Sequence, residues 1–384
     1  MPFFTNGMDL KASFASLLNV FQGGGASALG IDAGSSAIKV VQLRKRKGHA
    51  VLETYGELSI GPYGKSEIGS AVRLPLAKMG EALADVLREA KVSSRECGIA
   101  IPISSSLVTT IELPLVDDKQ FSEMVPIEAR KYIPVPITEV ALDWWVIPKE
   151  TNSVSNPFSG GDDQNVKQGK LVDVLLAVIH NDAINNYKDL AKSVGLIPSF
   201  YEVEIFSTIR STLAQELKPV MILDVGAATT KLYVVDRGVV KSSHMVNRGS
   251  QDITLSLARG LNLSVKEAEL LKRNTGLEMA GGRRDIYDLS STTLSYILSE
   301  ANRAVFNYEK RTGQTIGRVF LTGGGALLKG FHGFAQNFFE TEASLADPFA
   351  KVEAPAFLRP VLARAGPEFA VAIGLALRKL QEMS

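Results

Sequence analysis

Cysteine is nearly missing from this chain. Cys97 is the single one in 384 residues, which excludes an internal disulfide and fits a reducing compartment. A dominant charge is also missing. Forty-two basic residues face forty-one acidic ones, for a net charge of +1, so no overall field would recruit nucleic acid or a membrane surface. Neither is expected as the main ligand. No apolar run approaches the ~18 residues needed to cross a bilayer, so no transmembrane segment is expected. The first residues carry Asp9 and Lys11 but no basic stretch leading into an apolar core and a cleavage site. That is a poor secretion signal, and a cytoplasmic location is expected. What remains is ordinary for a globular protein: 45% apolar and 22% charged residues, in a length that suits two domains or one bilobal unit.

What is present is a repeat. Near the start the chain reads Leu29-Gly30-Ile31-Asp32-Ala33-Gly34-Ser35-Ser36-Ala37-Ile38-Lys39-Val40-Val41. Further on it reads Ile222-Leu223-Asp224-Val225-Gly226-Ala227-Ala228-Thr229-Thr230-Lys231-Leu232-Tyr233-Val234-Val235. Each copy has an apolar strand, Asp-x-Gly, a run of small and hydroxyl residues, a lysine seven positions after the aspartate, and a second apolar strand. One Asp-x-Gly is common and means only a turn. Two copies with the same spacing point to an internal duplication whose turns face one ligand.

Around these copies the periodicity predicts an α/β protein. Strands are expected over 28–32, 37–43 and 50–59, a helix over 76–90 and a buried strand over 98–103. Residues 104–197 differ in texture, with Ile133-Pro134-Val135-Pro136, strands over 140–147 and 171–179, a polar Gly/Ser/Asn stretch over 151–169 and a helix over 185–194. They are expected to form a small α+β subdomain inserted into a first lobe spanning 29–218. The second copy opens a second lobe over 219–384, with strands at 220–225, 230–236 and 238–246 and helices at 251–259, 264–274, 291–312, 327–334 and 368–382. A smaller subdomain is expected over about 250–315. Residues 1–28 read as a tail. In it Phe14, Leu17, Leu18 and Phe21 have helical spacing, and Gly23-Gly24-Gly25 follows as a flexible link.

The chemistry of the repeat is anion binding. A tight hairpin at Asp-x-Gly presents consecutive backbone N–H groups to phosphate oxygens, and glycine permits close approach. Gly34, Ser35, Ser36 and Lys39 in one copy, and Gly226, Thr229 and Thr230 in the other, are the expected phosphate-side residues. Asp32 and Asp224 suit Mg²⁺ held through water, because Mg²⁺ takes few carboxylates and keeps its waters. A third feature is the strand 319–322 followed by Gly323-Gly324-Gly325-Ala326-Leu327-Leu328-Lys329. It lacks the Gly-x-Gly-x-x-Gly of a dinucleotide fold, and it places close-approach glycines at a helix start, suited to a nucleoside.

The order hairpin, insertion, hairpin, strand–Gly-Gly-Gly–helix resembles the actin-like ATPase superfamily, which includes actin, sugar kinases, DnaK-type chaperones and FtsA. It implies a duplicated ribonuclease H-like fold of two lobes. The resemblance also implies ATP and Mg²⁺ in the interlobe cleft, with Gly323, Gly324, Gly325 and Leu328 at the adenosine. The segment Lys266-Glu267-Ala268-Glu269-Leu270-Leu271-Lys272 is similar to the helix whose Glu and Lys reach the nucleoside, which implies that role for Glu269 and Lys272; an exposed i, i+3 charge pair is the plainer reading. The Pro-x-Pro insertion, Glu128-Ala129-Arg130-Lys131-Tyr132 before it and Gly374-Leu375-Ala376-Leu377-Arg378 near the end resemble the PilM family of type IV pilus assembly. That narrower likeness implies a groove beside the insertion for the cytoplasmic N-terminal peptide of a PilN-type inner-membrane protein. It also implies a location peripheral to the inner membrane through that partner, with other pilus assembly proteins and self-association left open.

No motif marks a residue that orients water at a γ-phosphate or a base at a substrate hydroxyl. Glu202 and Glu204 are candidates, weighed against a structural role. A nucleotide-dependent binding protein, at most a slow ATPase, is therefore expected. The alternatives are a small-molecule kinase of the same superfold and a membrane-associated filament protein like FtsA. FtsA carries an amphipathic helix after its last domain helix, whereas Gln381-Glu382-Met383-Ser384 directly follows the 374–380 helix here.

Overall fold

The computed structural model describes residues 27–147, 171–278 and 283–383. The amphipathic spacing at Phe14–Phe21 and the polar 151–169 stretch lie outside them.

The chain opens with three antiparallel strands, β1 (Ser27–Ala33), β2 (Ala37–Arg46) and β3 (His49–Ser59). Helix α1 (Leu76–Glu89) and strand β4 (Glu96–Ile101) follow. Next come β5 (Ser106–Pro114), α2 (Asp118–Ala129), β6 (Val140–Ile147), β7 (Leu171–His180), α3 (Asn181–Ser193), β8 (Ile197–Val203) and α4 (Glu204–Thr212). The second half holds β9 (Val220–Val225), β10 (Thr230–Asp236), β11 (Val239–Val246), α5 (Ser250–Leu261), α6 (Val265–Thr275), α7 (Arg284–Thr312), β12 (Arg318–Thr322), α8 (Phe331–Phe338), β13 (Glu342–Leu345), α9 (Arg359–Ala365) and α10 (Ala370–Glu382).

Two five-stranded sheets have the orders β3-β2-β1-β4-β8 and β11-β10-β9-β12-β13. In each, three antiparallel strands are extended by two parallel ones. The correspondence reaches the hairpin tips. Lys47-Gly48 joins β2 to β3 and Arg237-Gly238 joins β10 to β11, all four at positive φ. Paired positive φ angles belong to the two-residue hairpin turn whose twist matches that of the strands. The central strands read as apolar runs because both flanks are covered: β9 is buried at every residue, and Ala28 to Ile31 are buried in β1.

The third sheet, β5-β7-β6, is packed against α2 through Ile111, Phe121, Val125 and Val174. Val108 and Ile179 of this sheet join Val239 and Val240 in a larger core, so the insertion rests on the second lobe as well as the first.

Several elements differ from the expectation. β8 carries Pro198 and the charged Glu202, and α2 contains Pro126, so neither shows a clean period. Helix α7 begins at Arg284 rather than 291. The helix expected over 327–334 is a 3₁₀ turn, Gly324–Leu327, followed by α8; Gly330, at φ 77°, breaks the chain direction between them.

By length and composition alone, the stretch Ala356–Glu382 is long and apolar enough to cross a bilayer. It is broken into short pieces and mostly buried. Its last piece, α10, lies directly on the first lobe: a Cβ at Gly30 would fall 2.0 Å from the Ala372 carbonyl oxygen, and one at Gly374 would fall 1.9 Å from that of Ser207. Bare backbone at both places lets the helix sit flush on β1 and α4. Beneath it Glu202, fully buried, accepts from Arg210 (2.8 Å to each oxygen), Arg378 (2.9 Å) and Ser207 (2.5 Å). The Arg378 guanidinium stacks on Phe200 at 4.0 Å. The Gly374–Arg378 sequence thus fastens α10 to the sheet that the first repeat opens.

Candidate functional site

The two repeated turns are built alike. Asp32 stands opposite Lys39 across β1 and β2, and Asp224 opposite Lys231 across β9 and β10. The Gly34 N–H donates to the Ala37 carbonyl at 3.0 Å, and the Gly226 N–H donates to that of Thr229 at 3.0 Å. A side chain at Gly34 or Gly226 would press on that same carbonyl, at 3.1 and 2.8 Å respectively. The second turn also sits on the start of α5. The Ser250 and Gln251 N–H groups donate to the Gly226 and Ala227 carbonyls, and Gly249 has no room for a Cβ.

Both turns open into one cleft of about 90 Å³ between the lobes. Asp32, Gly34, Ser35, Ser36 and Lys39 line one side. Asp224, Gly226 and Thr229 line the other, with Gly323 and Gly324 at the end of β12. Gly323, at φ 83°, passes directly over Asp224: a Cβ there would fall 2.4 Å from the Asp224 Oδ1. This position therefore requires glycine for conformation and for space together.

Other expected residues lie elsewhere. The Thr230 hydroxyl donates to the Arg248 carbonyl at 2.9 Å in a fully buried position, so it is committed to the fold rather than aimed at the cleft. Gly325 packs against Val225, and Leu328 against the second-lobe core. Glu202 is consumed by its arginines below α10. Glu269 and Lys272 form a buried pair at 2.7 Å, shared with Thr254 and Arg273, on the second lobe beside the cleft.

Of the two candidate carboxylates Glu204 is the one in the cleft, and the cleft adds Lys231 and Glu368, which the expected set did not contain. Glu204 lines it, accepts the Ile103 N–H at 2.8 Å and pairs with Lys231 at 2.6 Å; Lys231 also reaches Asp224 at 3.4 Å. The match of Lys231 to Lys39 was the available signal for it. Glu368 enters from the loop before α10, near Glu57 of β3 and Lys39. No local pattern marks it. Burial pushes the Glu368 carboxyl up to about 7, and neighbouring Glu57 adds to the rise.

Burial likewise raises Asp32 to about 6; Lys39 opposes the shift, while Glu204 and Asp224 add to it. An aspartate that the fold makes harder to ionise is suited to meeting a cation. In the unfolded chain it ionises near 3.8, so folding loses stability as pH rises from that value to about 6. Asp32→Asn is accordingly expected to raise the melting temperature of the ligand-free protein at pH 7.5, with the gain shrinking as pH falls toward 4. A pH series of thermal melts checks this, and a variant less stable than the parent at pH 7.5 contradicts it.

Comparison with known proteins follows the same lines. The sequence profile of the family described as type IV pilus assembly protein PilM matches residues 30–380. A solved PilM–PilN type IV pilus biogenesis complex contains a chain that superposes with a TM-score of 0.75 at 25% identity, covering 92% of this chain and 98% of that one. The ethanolamine utilization protein EutJ from Carboxydothermus hydrogenoformans gives 0.51 at 15% identity, over 97% and 92% of the two chains. MreB 5 of Spiroplasma citri bound to AMPPNP gives 0.51 at 12% identity, over 93% and 97%. These last two share the fold. Matched from the first hairpin to the closing helix, the chain belongs to the PilM family of type IV pilus assembly proteins and has an actin-like fold.

Proposed function

We propose that this protein binds Mg²⁺-ATP between its two hairpins, and that the nucleotide state governs capture of the N-terminal peptide of a PilN-type inner-membrane protein beside the inserted sheet. The observation that carries the first half is the paired turns: two aspartates in the same register, in one cleft, each beside a glycine whose Cβ would crowd the turn's own carbonyl. The solved PilM–PilN assembly supports the capture of a PilN-type partner, and its control by nucleotide is the part to be tested.

The turn N–H groups and the Ser35, Ser36 and Thr229 side chains would hold phosphate oxygens. Asp32 and Asp224 would hold Mg²⁺ through its waters, and Lys39 would balance charge. The metal, when bound, supplies electrostatic neutralisation of the phosphates. Gly323 and Gly324 let the second-lobe backbone approach the nucleoside side. Glu204 is the one carboxylate of the two candidates in position to orient water. Its tie to Lys231 and to the Ile103 N–H holds it as an acceptor with little freedom, which suits slow turnover or none. The protein then works in the cytoplasm, at the inner membrane through its partner.

Titrating a PilN-type N-terminal peptide with and without Mg²⁺-ATP tests the proposal. Trp144 and Trp145, the two tryptophans of the chain, both lie on β6 of the insertion, so intrinsic fluorescence reports that region. The peptide affinity is expected to differ at least several-fold between the two conditions. Identical affinities would reject the coupling, and absence of nucleotide binding by calorimetry would reject the site.

A further inference from the structure

Between β3 and α1 the chain takes a long detour over residues 60–75. At its two ends it is fixed to the first lobe. Tyr63 donates to Asp85 of α1 at 2.5 Å, and Val72 and Leu74 pack on the first-lobe core. It also grips the first repeated turn: the Ile60 N–H donates to the Ser36 carbonyl at 3.0 Å, and the Val72 N–H to the Ser35 carbonyl at 2.8 Å.

Its middle crosses to the other lobe. The Ala71 N–H donates to the Gln251 side-chain oxygen on α5. Gly69, at φ +87°, lies against Glu269 of α6, where a Cβ would fall 2.7 Å from the carboxyl carbon. Gln251 is itself part of the second turn's support, since its own N–H donates to the Ala227 carbonyl at 3.0 Å. The adjacent Val72 and Ala71 N–H groups therefore link the Ser35 carbonyl to the Gln251 side chain, and the Gln251 N–H continues the path to the Ala227 carbonyl. Separating the two turns means breaking it.

The grip is uneven. On the first lobe the detour is anchored by one aromatic side chain, Tyr63, and three apolar ones, Ile60, Val72 and Leu74. On the second it is held by one side-chain acceptor and the fit of a glycine, while Glu67 and Ile68 at its crest are exposed. Segments with few buried apolar contacts are those that open at low free energy. The cleft between the two turns that it links, at about 90 Å³, is well below the roughly 300–1,000 Å³ of clefts that bury a drug-sized ligand.

We infer that residues 60–75 form a clasp, hinged on the first lobe and released at Gln251 and Glu269, that holds the interlobe cleft shut and sets the rate at which nucleotide enters and leaves. This rests on the nucleotide reading given above.

Two variants test it. Ala71→Cys with Gln251→Cys places a pair of thiols where the releasable bond lies; the native Cys97 is buried and does not compete. With the fluorescent analogue mant-ATP and Mg²⁺ in stopped flow, the oxidised double variant is expected to take up nucleotide more than tenfold slower than the reduced one, with reductant restoring the rate. Gln251→Ala, which needs no cross-link, is expected to speed both uptake and release by about 2–10-fold, the worth of one net hydrogen bond. Equal rates in the oxidised and reduced forms, or an unchanged rate in Gln251→Ala, would overturn the clasp. If no form binds mant-ATP, the nucleotide reading fails, and the clasp is decided by hydrogen exchange on the ligand-free protein. Loss of protection over residues 60–75 in Gln251→Ala supports it, and an unchanged pattern refutes it.

Discussion

Asp224→Ala is expected to weaken Mg²⁺-ATP binding by about 10–100-fold, the range found when a group that orients metal-bound water is removed. The loss should be specific. Lys231 keeps Glu204 at 2.6 Å when Asp224 is gone, so no buried cation is left alone and the fold is expected to survive. Calorimetry with Mg²⁺ and with chelator separates the two effects. The parent should bind far better with Mg²⁺, and the variant should show little difference between the conditions. A variant that matches the parent in Mg²⁺ would remove Asp224 from the site and with it the argument from paired turns. Because the second turn is tied to α5 through Gly226 and Ala227 rather than through Asp224, its backbone should remain in place.

The second large effect concerns stability. Arg378→Met keeps an apolar stem against Phe200 but takes one of two guanidinium partners from Glu202, which has no solvent to replace it. Breaking a buried ion pair on one side costs about 3–5 kcal/mol. Urea denaturation followed by far-ultraviolet circular dichroism should show a midpoint lower by that equivalent, and a change below about 1 kcal/mol would show that Arg210 alone satisfies the carboxylate. The pH dependence has a definite sign. Burial pushes the Glu202 carboxyl up, but Arg210, Arg378 and Ser207 more than reverse this, so it ends below its ordinary 4.5. Its stabilisation is therefore complete above about 4.5 and is lost as pH falls further. In the variant its folded-state value moves back up toward 4.5, so the stability linked to Glu202 that is lost on acidification below 4.5 should be smaller than in the parent.

Much of this molecule could be read from local pattern. The strands of both hairpins, the turns at Asp-x-Gly and the buried β4 follow from apolar runs interrupted by glycine, which need no knowledge of what packs on them. What escaped depends on partners far along the chain. β8 does not show in the sequence because Pro198 and Glu202 break its apolar pattern, and one of the two arginines that make the buried carboxylate tolerable, Arg378, is 176 positions away. The same distance separates sign from meaning in the site. Asp32 and Asp224 were legible because their turns repeat, whereas Glu368 stands in the cleft only because the segment leading into α10 folds back over β2 and β3. Thr230 fits the spacing of a phosphate hydroxyl, and tertiary structure has spent it on the Arg248 carbonyl. Glu269 and Lys272 meet each other as an i, i+3 pair, but their burial comes from Thr254 on a neighbouring helix.

The burial of Cys97 has a practical corollary. Its sulfur lies in the first-lobe core, and burial pushes its thiol up to about 12. A maleimide or disulfide reagent in neutral buffer should pass the native molecule by and modify it only when that core comes apart. The unaltered chain thus carries a clock for its own global unfolding, readable by mass spectrometry inside living cells, where no denaturant can be added.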